Sequence, residues 1–295
     1  MDLLHIVILA VIQGLAELLP VSSSAHVIVA AKLLGLSPST PEMTLLIVML
    51  HTGTMFAVIL YFWQAWKESL FASRAVFRQQ VVRLLIATVL TAAVGAPLIL
   101  AIEKGAVNTG YLVKDSSGKL PKAEVELLFG NLSLVAGALA AAGVLILVAG
   151  LAERALARNR PIGIREAAWI GAVQGLCLPF RGFSRSGATI STGLLLGALK
   201  GRVEEFSFAL AVIITPAAIG REAWRLVKSH HEAGGAEVTW SLFGPSLLGM
   251  GFSFLAGLLA LRWLSRWLEG GRWYLFGLYC LLASVAVFAL HCRGY

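Results

Sequence analysis

Gln13-Gly14-Leu15-Ala16-Glu17-Leu18-Leu19-Pro20-Val21-Ser22-Ser23-Ser24-Ala25-His26 reads as an apolar helix that stops at a proline and restarts in serines, with one carboxylate a turn before the break. Proline cannot continue a helix, and serine is a favoured N-cap for the next one. The surrounding region, 3–36, is apolar overall, but neither half reaches the roughly 20 residues needed to cross a ~30 Å hydrocarbon core. A second region, 166–199, repeats the device. Gln174-Gly175-Leu176 echoes Gln13-Gly14-Leu15, the break contains Pro179, Gly182 and Gly187, and Ser184-Arg185-Ser186 answers Ser22-Ser23-Ser24. Broken helices at membrane depth persist only where protein or a water-filled cavity satisfies the freed backbone, so both regions are predicted to be re-entrant helix-turn-helix pairs.

Outward from these breaks, apolar stretches long enough to span lie near 44–63, 81–102, 127–150, 206–227, 243–264 and 273–291. The chain is 58% hydrophobic and 14% charged with a mean hydropathy of +0.82, well outside the balance of a soluble domain. The expected fold is an all-α integral membrane protein with six transmembrane helices plus two re-entrant helix-turn-helix pairs. No polar linker separates two cores, so 1–295 is predicted to be a single membrane domain. In it, approximately 1–150 and 160–293 form inverted repeats, because a re-entrant pair makes no crossing and three spans make an odd number. Leu3 to Leu19 lacks a basic flank and is interrupted by Gln13 and Glu17, so it is not expected to act as a cleaved signal peptide. Cys177, Cys280 and Cys292 are odd in number and widely spaced, which indicates neither a disulfide framework nor a cysteine metal site.

The net charge of +8 sits in short loops rather than on a continuous basic face, so no nucleic acid is expected as a partner. With the N-terminus outside, the inner loops hold thirteen Lys and Arg against nine outside, which favours that orientation. Trp63, Trp66, Trp240, Trp263, Trp267 and Trp273 fall near span ends, as interfacial anchors do.

Gln13 and Glu17, spaced i, i+4, share a helix face. A carboxylate at membrane depth costs about 2.5 to 3.5 kcal/mol on insertion scales and is retained for a function or a charge partner. A serine cap alone is ordinary. Here, however, the turn is expected to present backbone N–H groups and a positive helix end, which suits phosphate. His26 follows Ser23 by three residues, near enough for the imidazole to meet the hydroxyl. In the second break, Arg185 offers a fork for phosphate oxygens, and Glu17 is the alternative anion for it. Whether His51 faces the same cavity is left open by its position. His5, His230, His231 and His291 read as terminal or loop residues.

Gln13-xxx-Glu17, Pro20-Val21-Ser22-Ser23 with His26, and Gly182-Phe183-Ser184-Arg185-Ser186-Gly187-Ala188-Thr189 together resemble the bacterial undecaprenyl-diphosphate phosphatase family, also called bacitracin-resistance proteins. The similarity runs over nearly the whole chain and includes Pro41-Glu42 and Glu205-Phe206-Ser207-Phe208. It implies removal of the terminal phosphate of undecaprenyl diphosphate, which yields the lipid carrier for peptidoglycan synthesis, with the help of a divalent cation, Mg²⁺ or Ca²⁺. Carried over by position, the functional residues would be Gln13, Glu17, Ser22, Ser23 and His26, with Ser184, Arg185, Ser186 and Thr189. Three departures stand out. The family pattern allows Glu or Gln at the first motif position, and Gln13 removes one possible charged metal ligand. Arg181 occupies the position before Gly182 where the family usually has proline, and Ser24-Ala25 stands where Thr-Gly or Ser-Gly is common.

The expected chemistry is attack by Ser23 on the terminal phosphorus with His26 as base. Arg185 and the helix N-termini hold phosphate oxygens, with Ser22, Ser24, Ser184, Ser186 and Thr189 binding substrate. Glu17 with Gln13 is expected to ligate the cation, or Glu17 to orient His26; His26 or water as nucleophile stays open. The partners expected are the lipid substrate, the bilayer and, as an assembly, a homodimer. The location expected is the bacterial inner membrane, as a multi-pass protein whose site opens to the outer side. A lipid carrier is the competing class, since inverted repeats with broken helices also build transporters. A phosphatidic-acid type phosphatase is disfavoured because its Lys-x6-Arg-Pro and Ser-Arg-x5-His signatures are missing.

Overall fold

The computed structural model describes residues 2–36, 41–109, 131–156, 160–232 and 240–294. Among these residues the chain forms ten helices. In order they are α1 (Leu3–Leu18), α2 (Ser23–Leu33), α3 (Pro41–Ser69), α4 (Arg74–Asn108), α5 (Leu132–Leu156), α6 (Ile164–Cys177), α7 (Arg185–Leu195), α8 (Lys200–Glu232), α9 (Trp240–Glu269) and α10 (Trp273–Cys292). Outside the helices, the described residues contribute one isolated parallel bridge, Arg160 with Ala198.

Five helices contain stretches long and apolar enough to cross a membrane: Met43–Ser69, Arg74–Asn108, Leu132–Ala152, Gly244–Glu269 and Trp273–Cys292. They match five of the six expected spans, although residues 127–130 of the expected 127–150 span lie outside the described residues. The sixth expected span, 206–227, lies within the 33-residue α8. Several helices run past their expected spans, with α4 extending over 35 residues, about 50 Å at 1.5 Å per residue. Large apolar side chains such as Leu85 and Val89 of α4, and Leu282 and Val285 of α10, face outward. Water would penalise that surface and hydrocarbon does not.

Both predicted breaks are present. α1 and α2 are separated by residues 19–22, and α6 and α7 by residues 178–184. At 16 and 11 residues, then 14 and 11, these helices are about 16 to 24 Å long. Three of the four short helices pack on longer ones, α1 against α9, α6 against α4 and α7 against α5, while α2 packs on α1. Small residues permit the close approach. A Cβ at Gly14 would lie 2.6 Å from the Ser253 carbonyl oxygen of α9, and one at Gly175 would lie 2.8 Å from the Thr91 carbonyl oxygen of α4. The glycines of the two Gln-Gly-Leu triplets therefore do the same packing work on different neighbours. Around them α10 lies along α5 and α9 along α3, so helices from early and late in the chain interleave. Fully buried Trp273 donates Nε1–H to Ser191 Oγ at 2.9 Å, which fixes α10 to α7.

Candidate active site

The first break is built by Pro20 and Ser22. α1 ends before the proline, and Ser22 adopts φ +67, the left-handed region where a non-glycine residue is uncommon. Its Oγ accepts from the Ala25 amide at 3.5 Å, so α2 starts at Ser23. In the second break Gly182 takes φ +115, and a Cβ there would come within 2.4 Å of the Val135 carbonyl oxygen. Ser184 then caps α7, its Oγ accepting from the Gly187 amide at 3.2 Å. The turns meet: Ser186 Oγ donates to the Leu19 carbonyl at 3.3 Å. Two helix N-termini thereby open into one polar cavity of about 270 Å³, lined by Ser22, Ser23, Ser24, Ser184, Arg185 and Ser186, with Glu17, His51 and Arg181 among the rest.

Glu17 is the hub. Its Oε2 accepts from Ser23 Oγ at 2.5 Å and from Gln13 Nε2 at 3.2 Å, and its Oε1 accepts from Arg185 Nη2 at 3.0 Å. His51 Nε2 lies 3.8 Å from Oε2, so this histidine, left open by the sequence, faces the cavity. Arg185 uses one arm of its fork on Glu17, while Nη1 is buried and has no hydrogen-bond partner among the described residues. A buried guanidinium N–H without an acceptor is costly, and a phosphate oxygen would relieve it.

Three expected placements differ. His26 does not bond Ser23: its Nδ1 meets the Ser22 carbonyl at 2.8 Å and its Nε2 meets the Tyr279 hydroxyl of α10 at 2.6 Å. The carbonyl ahead of α2 captures the ring and turns it from the cavity, leaving Glu17 as the acceptor beside Ser23. Thr189 is fully buried, with its hydroxyl 2.8 Å from the Arg185 carbonyl and 2.6 Å from Ser207 Oγ. It ties α7 to α8 and is not part of the cavity lining. Gln13 is buried, donates to Glu17 and also lies outside the lining, which makes it a positioning residue for Glu17 in this arrangement. Sequence reading missed Tyr279, one tyrosine in an apolar span with no local signal.

Residues 6–286 match the bacitracin resistance protein BacA family. The chain belongs to that family. It is 55% identical over 292 residues to undecaprenyl-diphosphatase 2 of Acinetobacter baylyi, covering 98% of each chain. It is 34% identical to the undecaprenyl-diphosphatase of Anaeromyxobacter sp. strain Fw109-5, covering all of this chain and 90% of that one. With undecaprenyl-diphosphatase 1 of Burkholderia pseudomallei strain 1106a it shares 32% identity over 100% of this chain and 97% of the relative. Family membership and the five apolar helices make it a multi-pass membrane protein.

As for a cation, the described residues contain no group of three or more His, Cys, Asp and Glu side chains able to hold one. Glu17 is the single carboxylate in the cavity lining among the described residues. That donor set fits a hard cation only when substrate oxygens complete the shell, which is a common way for Mg²⁺ to bind.

Proposed function

We propose that the chain is an undecaprenyl-diphosphate phosphatase, which converts undecaprenyl diphosphate to undecaprenyl phosphate and inorganic phosphate and so recycles the lipid carrier of peptidoglycan synthesis. The observation that carries this reading from the geometry is the 2.5 Å Ser23–Glu17 contact beside an Arg185 Nη1 that has no partner among the described residues. The 55% identical relative, itself named an undecaprenyl-diphosphatase, supplies the substrate.

The terminal phosphate sits in the polar cavity, with its oxygens on Arg185 Nη1 and the N-termini of α2 and α7. Ser23 Oγ attacks phosphorus in line and Glu17 accepts its proton. The bond from phosphorus to the bridging oxygen breaks, and undecaprenyl phosphate leaves with that oxygen. Water then attacks the phosphoserine, returning Ser23 and releasing phosphate. Glu17 is the residue that would hold Mg²⁺ or Ca²⁺ together with substrate oxygens. When bound, the ion neutralises charge on the transferring group.

α8 is the sixth span and the pairs α1–α2 and α6–α7 are re-entrant, so the two halves form one domain of inverted repeats. The loop charge bias supports an N-out orientation in the inner membrane with the site open to the outer side. Phosphate release by purified protein, with and without chelator, tests the activity. Trapping of phosphate on Ser23 tests the nucleophile, and hydrolysis undiminished in Ser23→Ala would sink the serine mechanism.

A further inference from the structure

Two apolar grooves flank the active-site turn. The first, about 670 Å³, is lined by Leu15, Ala16, Leu19, Trp263, Trp267 and Phe276; Ala16 also lines the polar cavity, so groove and cavity adjoin at that residue. The second, about 580 Å³, lies against Val29, Leu33, Leu282, Ala286 and Leu290, further along α10. Each is in the size range of a ligand pocket. Ile12, His26 and Tyr279 belong to both grooves. The His26 and Tyr279 rings lie nearly parallel, at 12°, with centroids 5.7 Å apart. The Ser22 carbonyl can only accept, so Nδ1–H donates to it, and with that tautomer Nε2 accepts a hydrogen bond from the Tyr279 hydroxyl. Where the two grooves adjoin, His26 and Tyr279 are thus joined by one directed hydrogen bond of 2.6 Å.

We propose that the undecaprenyl chain fills the two grooves in series, and that the Tyr279–His26 hydrogen bond is a latch the chain opens to pass from the first into the second, which makes Tyr279 a chain-length-determining residue. The inference rests on the reading that the polar cavity holds the diphosphate. From that headgroup position, the groove that adjoins the cavity at Ala16 takes the first isoprene units. A short chain ends there. A long chain continues past Tyr279, and its binding includes the loss of the latch.

The test is KM for undecaprenyl diphosphate and for farnesyl diphosphate, measured with the full-length protein in detergent micelles for wild type, Tyr279→Phe and Ala286→Trp. Tyr279→Phe keeps the ring and removes the latch. The ratio of the undecaprenyl to the farnesyl KM is expected to fall about two- to tenfold, the size of one hydrogen bond. Ala286→Trp fills the second groove, and the same ratio is expected to rise about tenfold, the loss expected from a few buried methylene groups. Leu290→Trp, at the far end of that groove, replaces it if Ala286→Trp does not fold. The proposal requires both shifts: either ratio unchanged, or both substrates moved alike by Tyr279→Phe, overturns it. Undiminished hydrolysis of both lipids in Glu17→Ala and Arg185→Ala would instead overturn the cavity reading, independently of these ratios.

Discussion

The two broken-helix turns share a backbone plan and divide the chemistry. Each follows a Gln-Gly-Leu triplet whose glutamine is buried and whose glycine presses on a neighbouring backbone. Each starts its second helix with a serine cap that accepts from the amide three residues on. At the first residue of that helix, however, one turn has Ser23 and the other Arg185. Four residues past the glutamine, one has Glu17 and the other Leu178. A common frame therefore aims two helix N-termini at one cavity, while the proposed nucleophile and base sit on the first turn and the permanent cation on the second. The 3.0 Å Arg185–Glu17 bond is where the halves of the site close on each other.

Breaking the acidic side of this division should have the largest effect. Glu17→Gln keeps the size of the side chain but removes both the acceptor for the Ser23 proton and the charge facing Arg185. Phosphate release is expected to fall about 10²- to 10⁴-fold, the usual contribution of a general base. Breaking the basic side should come next. Arg185→Lys retains a charge but not the fork that serves Glu17 and a phosphate oxygen at once, so a loss of about 10²- to 10³-fold in kcat is expected. Because both residues share one bond, the double variant should lose less than the product of the single losses. Multiplying losses in steady-state assays would mean the two turns act independently.

The frame was legible in the sequence because it rests on local rules. Pro20 must stop α1, serines must start the next helix, and a carboxylate and a guanidinium inside apolar runs must find each other or a ligand. Membership of the site was less legible. Spacing put His26 a turn from Ser23, but the Ser22 carbonyl holds its ring, and its other partner, Tyr279, is 253 residues away. Thr189 sat in the right motif, yet its hydroxyl is turned to Ser207. Gln13 shares a helix face with Glu17, and its buried amide donates to that carboxylate. For His26 and Thr189 the deciding partner is a backbone carbonyl or a side chain on another element, and neither has a signature at the residue itself. The extra length of the spans was also invisible, since hydropathy ends at the hydrocarbon edge while helical hydrogen bonding does not.

The backbone frames can be separated as well. Both turns use positive φ, but only Gly182 lacks room for a Cβ. Gly182→Ala meets the Val135 carbonyl in a strained conformation and is expected to destabilise the fold by about 1 to 3 kcal/mol. Ser22→Gly relieves its own strain and weakens a cap, for a net change of roughly a few tenths of a kcal/mol. Thermal unfolding of the two variants side by side checks this. Equal losses would mean that Val135 yields and that positive φ alone governs both turns.

The smallest effect is expected at Arg181, the position where this chain departs from the family's usual proline. Arg181 is exposed, lines the cavity, and has no salt-bridge partner among the described residues. Arg185 is already committed on one arm to Glu17, so Arg181 is the uncommitted positive charge facing an incoming diphosphate. Exposed ionic contacts are worth about 0 to 1 kcal/mol, so Arg181→Ala should raise KM roughly two- to fivefold and leave kcat nearly unchanged. A charge acting through water is screened, with a Debye length near 3 Å at 1 M salt. The KM difference between Arg181→Ala and wild type should therefore shrink as salt is raised, whereas the kcat loss of Arg185→Lys should persist. A salt-independent KM effect at Arg181 would mean direct, desolvated contact with the phosphate, and the second turn would then hold two binding cations rather than one.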